Sequence, residues 1–177
     1  MIFKTTGIEG AFVIELEKIQ DHRGYFARTF CQKEFQAHGL CTSLVQANTA
    51  FTQRKGTVRG MHYQAAPYAE AKLVRCNRGA AFDVMIDLRP GSKSYCRWFG
   101  VELAADNHRM LYVPEGFAHG YQTLQDDTEL FYLVSQFYTP QAEQGVRWND
   151  TCFKIAWPIV ANALLSEKDR NWPDFTA

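Results

Sequence analysis

Nowhere in this chain do eighteen apolar residues run together, and near the N-terminus the longest apolar stretch is Ala11 to Ile14. A membrane-crossing helix needs about 20 apolar residues and a secretory signal a core of about 7–15. The sequence therefore predicts a soluble, cytoplasmic protein with no membrane partner. Charge of one sign is equally lacking, since 19 Lys+Arg stand against 19 Asp+Glu. With no net field to recruit nucleic acid, an anionic ligand has to be met by a local basic cluster. Cys-x-x-Cys and His-x-His pairs are absent too. The five cysteines, Cys31, Cys41, Cys76, Cys96 and Cys152, are odd in number and widely spaced, which fits free thiols in a reducing compartment better than a disulfide framework or a zinc site. Without a linker, internal repeat or low-complexity tract, residues 1–177 are expected to form one domain, and 46% hydrophobic residues suffice to close its core.

What is present is a succession of short Val-, Phe-, Tyr- and Leu-rich segments between turn signals. They run Ala11–Leu16, Leu44–Thr49, Val58–Gln64, Lys72–Cys76, Ala80–Leu88, Trp98–Leu103, Arg109–Val113, Ala118–Gln122 and Leu130–Phe137. Helical signals are few: Gln32–His38 stops at Gly39, and Ser166–Arg170 opens on a Ser-x-x-Asp cap. The pattern predicts an all-β jelly-roll barrel with a few short helices.

Alternation within these strands sorts the polar residues that could do chemistry. His62 and Gln64 share one face, Met61 and Tyr63 the other; Lys72 opposes Leu73; Tyr132 lies with Leu130 and Val134. A lysine inside a β core is costly unless it meets an anion or a developing oxyanion. Val113-Pro114-Glu115-Gly116-Phe117-Ala118-His119-Gly120 reads as strand, tight turn, strand, with His119 just inside the second strand. Each residue also has a structural reading on spacing alone: His62 bonded into a polar patch of core, Lys72 a solvated strand end, Tyr132 a core tyrosine with its hydroxyl satisfied, Asp169 a helix cap. Spacing leaves both readings open.

Taken together, Asp21-His22-Arg23-Gly24-Tyr25-Phe26, Gln46-Ala47-Asn48, Arg59-Gly60-Met61-His62-Tyr63-Gln64, Ala71-Lys72-Leu73-Val74-Arg75, Asp83 to Arg89, Pro114 to Gly120, Glu143 to Asp150 and Ser166-Glu167-Lys168-Asp169 resemble the dTDP-4-dehydrorhamnose 3,5-epimerase family, a branch of the cupin superfold. The likeness runs from about Phe3 to Pro173. It implies a cupin-type double-stranded β-helix that acts without a cofactor on a nucleotide-diphosphate-linked 4-keto-6-deoxy sugar. Carbons beside the C4 ketone lose a proton to give an enolate, and its return to the other face inverts the centre.

By this resemblance His62 is the base, Asp169 orients it and stabilises the imidazolium, Tyr132 returns the proton, and Lys72 steadies the enolate oxygen, with His119 assisting there. Arg23 and Arg59 are expected on the diphosphate, Gln46, Asn48, Glu143 and Lys168 in the site, and Phe26 and Tyr138 flanking the base. Arg28 stands where the family commonly has a nucleotide-binding glutamate; exchanging an acceptor for a donor opens the alternative of a CDP-linked sugar. Inversion at C3, at C5 or at both stays open. A metal-dependent cupin enzyme is the rival from another class; it needs three or four clustered ligands, where this chain has His62-Tyr63-Gln64 and no metal is expected. The resemblance also implies a homodimer in which residues near Arg23 to Arg28 serve the neighbouring site.

Overall fold

The computed structural model describes residues 1–176. Strands β1 (Ile2–Thr5), β2 (Phe12–Glu15), β10 (Met110–Val113), β7 (Lys72–Arg78), β12 (Thr128–Val134) and β5 (Gln46–Thr52) form, in that spatial order, a six-stranded sheet. A five-stranded sheet holds β13 (Glu143–Gly145), β6 (Val58–Gln64), β11 (Phe117–Thr123), β8 (Ala80–Asp87) and β9 (Trp98–Ala104). From β5 onward the chain passes repeatedly between the sheets, and neighbouring strands pair antiparallel. This is the jelly roll, or double-stranded β-helix, expected from the sequence. A separate hairpin pairs β3 (Ile19–Asp21) with β4 (Gly24–Phe26), and two short helices, α1 (Gln32–Ala37) and α2 (Glu167–Arg170), complete the fold.

Alternation decides what lies between the sheets. Val74, Leu111 and Leu130 of the six-stranded sheet meet Met85, Leu103, Phe117 and Tyr121 of the other in the central core. The intervening residues point outward and need covers of their own. Phe35 of α1 is fully buried and caps Ile14, Leu73, Met110 and Tyr112, a burial worth about 1.5–3 kcal/mol. Val146, Phe153 and Trp157 cover Met61, Val84, Ile86 and Ala118 on the second sheet. With the apolar residues of β6, β7, β11 and β12 thus disposed, their polar residues are turned toward one end of the barrel interior.

Most strand expectations hold to within a few residues, and Val58–Gln64 coincides with β6. Strands β1, β3, β4 and β13, of three or four residues each, were not expected from composition. The segment expected to continue to Phe137 ends at Val134 instead. Phe137 is 60% exposed and its backbone N–H turns to the Gln136 side chain, so an apolar pattern outlasts the ladder that would bury it.

Candidate active site

Six strands deliver side chains to one chamber. His62 on β6 and His119 on β11 stand directly opposite each other in the ladder, while Tyr132 on β12 pairs with Asn48 and Val74. A cavity of about 250 Å³ is lined by His62, His119, Lys72, Tyr132, Arg59 and Tyr121, with Ala50, Val74 and Leu130 as its apolar part. It opens into a further 480 Å³ bordered by Gln46, Asn48, Gln64, Glu70, Tyr138 and Glu143. On the other flank of His62, a groove holds Ser166, Lys168 and Asp169 beside Arg59.

The His62 Nε2 lies 2.5 Å from Asp169 Oδ1. With a hydrogen on Nε2 donated to the carboxylate, the Nδ1 lone pair is left free. At Asp169 a helix cap and a contact with His62 coexist. Its backbone N–H is capped by Ser166 Oγ at 3.0 Å, while its carboxylate reaches across to His62. Burial opposes ionisation of this carboxylate, but the hydrogen bonds from His62 and the α2 cap outweigh it, so Asp169 stays below the usual aspartate range.

Lys72 is 8% exposed and its Nζ is matched by Glu70 Oε1 at 3.1 Å, the pairing a buried ammonium requires. The Tyr132 hydroxyl has no hydrogen-bond partner among the described residues, and burial first, then the Glu70 charge, push its pKa above the ordinary phenol value. A phenol so held is a proton donor rather than a phenolate. Arg59 is braced by Thr52 Oγ1 at 3.1 Å and the Phe51 carbonyl at 3.0 Å. Glu143 gathers Tyr138 Oη at 2.7 Å and Lys168 Nζ at 2.5 Å; burial acts against its charge, yet those donors keep it below the usual glutamate range. The backbone N–H of Tyr138 donates to Gln46 Oε1, which ties the segment after β12 to the chamber rim.

Two participants escaped the sequence reading. Asp83, fully buried on β8, accepts from His119 Nε2 at 2.8 Å, and its other carboxylate oxygen has no partner among the described residues. An acid inside the apolar run Ala80–Leu88 was the available signal, because such a residue survives burial only when paired. Glu70, the partner of Lys72, lies outside any strand and carried no signal of its own.

The hairpin residues stand apart from this chamber. Within one chain Arg23, Phe26 and Arg28 are not brought to this chamber. Arg23 folds back on Asp21 at 2.6 Å, Arg28 lies 3.7 Å from Glu34, and Phe26 and Arg28 border a different cavity with Met1, Glu17 and Ile19. The reason is topological: β3 and β4 pair only with each other, so no ladder carries them to the barrel mouth. Phe26 therefore does not form a sandwich with Tyr138 in a single chain. Among the described residues, no three His, Cys, Asp or Glu side chains converge as a metal-holding group, and no helix is long and apolar enough to cross a membrane.

A barrel interior with a carboxylate-backed histidine, a buried ammonium and a protonated phenol is that of a cupin-fold acid–base enzyme. A family model described as dTDP-4-dehydrorhamnose 3,5-epimerase matches residues 5–177. The dTDP-4-dehydrorhamnose 3,5-epimerase of Shigella flexneri is 44% identical over 171 residues, covering 96% of this chain and 93% of its own. The crystal structure of the enzyme of that name from Elizabethkingia anophelis NUHP1 superposes with a TM-score of 0.96 at 37% identity, covering 99% of this chain and 96% of that one. The dTDP-6-deoxy-D-glucose-3,5-epimerase of Legionella pneumophila, solved in complex with dTDP-4-keto-L-rhamnose, gives 0.90 at 33% identity, covering 98% and 92%. The chain belongs to the dTDP-4-dehydrorhamnose 3,5-epimerase family.

Proposed function

We propose that this isomerase converts dTDP-4-dehydro-6-deoxy-D-glucose to dTDP-4-dehydro-L-rhamnose by proton removal and return at C3 and C5. The observation that carries the mechanism is the opposition of His62, backed by Asp169 at 2.5 Å, to Tyr132 on the other sheet across one cavity that Lys72 also lines. The Nδ1 of His62 takes the proton from the carbon beside the ketone, and Asp169 stabilises the imidazolium. Electron density moves to the C4 oxygen, where the Lys72 ammonium interacts more strongly with the enolate than with the neutral ketone and so lowers the barrier selectively. Tyr132 gives its proton to the opposite face of the carbon. His62 releases its proton to solvent and Tyr132 regains one from it, which resets the pair. His119, held by Asp83, is assigned to the same oxygen or a neighbouring hydroxyl.

At the nucleotide end, Arg59 is assigned to the diphosphate, with Lys168, Gln46, Asn48, Glu143 and Tyr138 along the same channel. Arg28 lies 3.7 Å from Glu34 within the single chain, and we assign the thymidine nucleotide that the family resemblance implies. Arg23, Phe26 and Arg28 are assigned to the channel of a second copy in a homodimer. Exposed apolar side chains on both sides support this: Ile19 and Phe26 on the hairpin, Phe137 and Tyr138 by the channel. We read the whole chain as one catalytic domain, and its five free thiols suit a cytoplasmic enzyme.

Turnover in deuterium oxide tests the chemistry. Wild-type enzyme given dTDP-4-dehydro-6-deoxy-D-glucose should place solvent deuterium at each inverted carbon, seen by NMR. Tyr132→Phe should still wash deuterium in, because proton removal does not need the phenol, but without inversion. Full epimerisation by that variant would rule out Tyr132 as the acid. For the dimer, sedimentation should give twice the chain mass, and mixing inactive His62→Ala with a Phe26→Ala, Arg23→Ala double variant should recover activity through one intact composite site. A monomer, or no recovery in verified mixed dimers, overturns the shared site.

A further inference from the structure

Trp172 has no place in the mechanism above and borders neither cavity nor groove of the site, yet the fold has made room for it directly behind His62. In the β13–β6 ladder, Gly145 is the residue opposite His62. A Cβ built on Gly145 would lie 2.3 Å from Trp172 Cε2 and 2.4 Å from Cδ2, so the indole occupies space that any other residue here would fill. From there its ring meets the His62 imidazole edge-on, with centroids 6.1 Å apart and planes at 65°. The Lys168 ammonium stands over the indole, 5.7 Å from the ring centroid.

Polar attraction does not explain this seat. The indole Nε1 is buried and has no partner among the described residues, although a buried indole N–H ordinarily finds one. Packing holds the ring instead, and the chain on either side is clamped. Arg147 N–H donates to the Pro173 carbonyl at 3.0 Å, Arg147 Nε to Asp174 at 2.5 Å, and Phe175 N–H to Asp150 at 2.5 Å. Upstream, α2 presents Asp169 to His62. Trp172 is therefore a wedge between the strand pair that carries the histidine and the helix that carries its carboxylate.

We propose that Trp172 is a positioning residue for the proposed base: it fixes the plane of the His62 ring, so that Nδ1 faces the reacting carbon while Nε2 stays on Asp169, and it keeps water from that hydrogen bond. The proposal rests on the role assigned to His62 above. A near-attack geometry is lost with small misplacements, and a group that acts only on orientation shows in kcat rather than in KM.

The test compares Trp172→Leu, which keeps apolar bulk without a planar edge, and Trp172→Phe, which keeps the edge. Trp172→Leu should lower kcat by about tenfold or more while KM stays within about twofold, and Trp172→Phe should recover most of the loss. A second reading needs no substrate. In ¹⁵N-histidine-labelled enzyme, the His62 Nε2 proton shared with Asp169 should give a downfield signal that is sharp in wild type and Trp172→Phe, and exchange-broadened in Trp172→Leu. A folded Trp172→Leu enzyme with wild-type kcat and an unchanged signal overturns the proposal; so does a Leu variant that loses kcat while its signal stays sharp. If wild-type enzyme turned over no dTDP-sugar, the proposed function would fail, while the imidazole signal would still decide the role of Trp172.

Discussion

His62→Ala loses solvent-deuterium exchange at both carbons flanking the ketone, with kcat down by about 10²–10⁴-fold, the usual contribution of a positioned general base. The Kd for dTDP should move by less than about threefold, since a base placed at the sugar carbon, the role proposed for His62, contributes in the transition state. The substitution leaves Asp169 without its 2.5 Å partner, so some of the loss arises from an uncompensated buried carboxylate at the chamber wall. His62→Gln, which offers that carboxylate an N–H but no basic nitrogen, separates the two effects and should be as inactive as the alanine variant. Exchange at near the wild-type rate in either variant would make His62 a structural residue and leave the proposed base without support.

The second large effect is on folding. Gly60 sits in β6 two residues before His62, at φ +126°. A Cβ there would lie 2.6 Å from Gly120 Cα and 2.9 Å from the His119 carbonyl oxygen. Both are backbone atoms of the neighbouring strand and cannot swing aside. The β6–β11 ladder shifts register between His119 and Tyr121, so the irregularity falls beside the two histidines. Gly60→Ala combines left-handed backbone strain of about 1–3 kcal/mol with overpacking of about 1–3 kcal/mol. Against a total stability of about 5–15 kcal/mol, that should lower Tm by about 4–24 °C. A circular-dichroism melt within about 2 °C of wild type would show that the strands can part at no cost, contrary to this geometry.

Much of the barrel was legible because its strands are long enough for period-two alternation to speak. Val58–Gln64 and Ala80–Asp87 each carry seven or eight residues bounded by turns, and the facing of His62, Lys72 and Tyr132 followed from that period. Strands of three residues such as Ile19–Asp21 and Glu143–Gly145 have no period to read; they exist because a neighbouring strand offers an edge. The meeting of His62 with Asp169 spans 107 positions, a distance over which periodicity is silent, and the Ser166 cap by itself described only half of what Asp169 does. The family resemblance supplied the missing half and also implied that the hairpin residues serve a neighbouring site, which periodicity cannot give because it depends on where a two-stranded ribbon points.

The layered covers of the barrel also determine what light can report about it. Trp98, Trp148 and Trp157 all pack in the cluster on the outer face of the five-stranded sheet, Trp172 lies beside His62, and the sequence has no further tryptophan. Indole emission therefore watches one side of the molecule, while the wall that carries Lys72 and Tyr132 is optically dark. Unfolding followed by tryptophan emission reports on the five-stranded sheet with its 146–157 cover and on the seat of Trp172, and it equals the loss of the Lys72 and Tyr132 wall only to the extent that both sheets let go together.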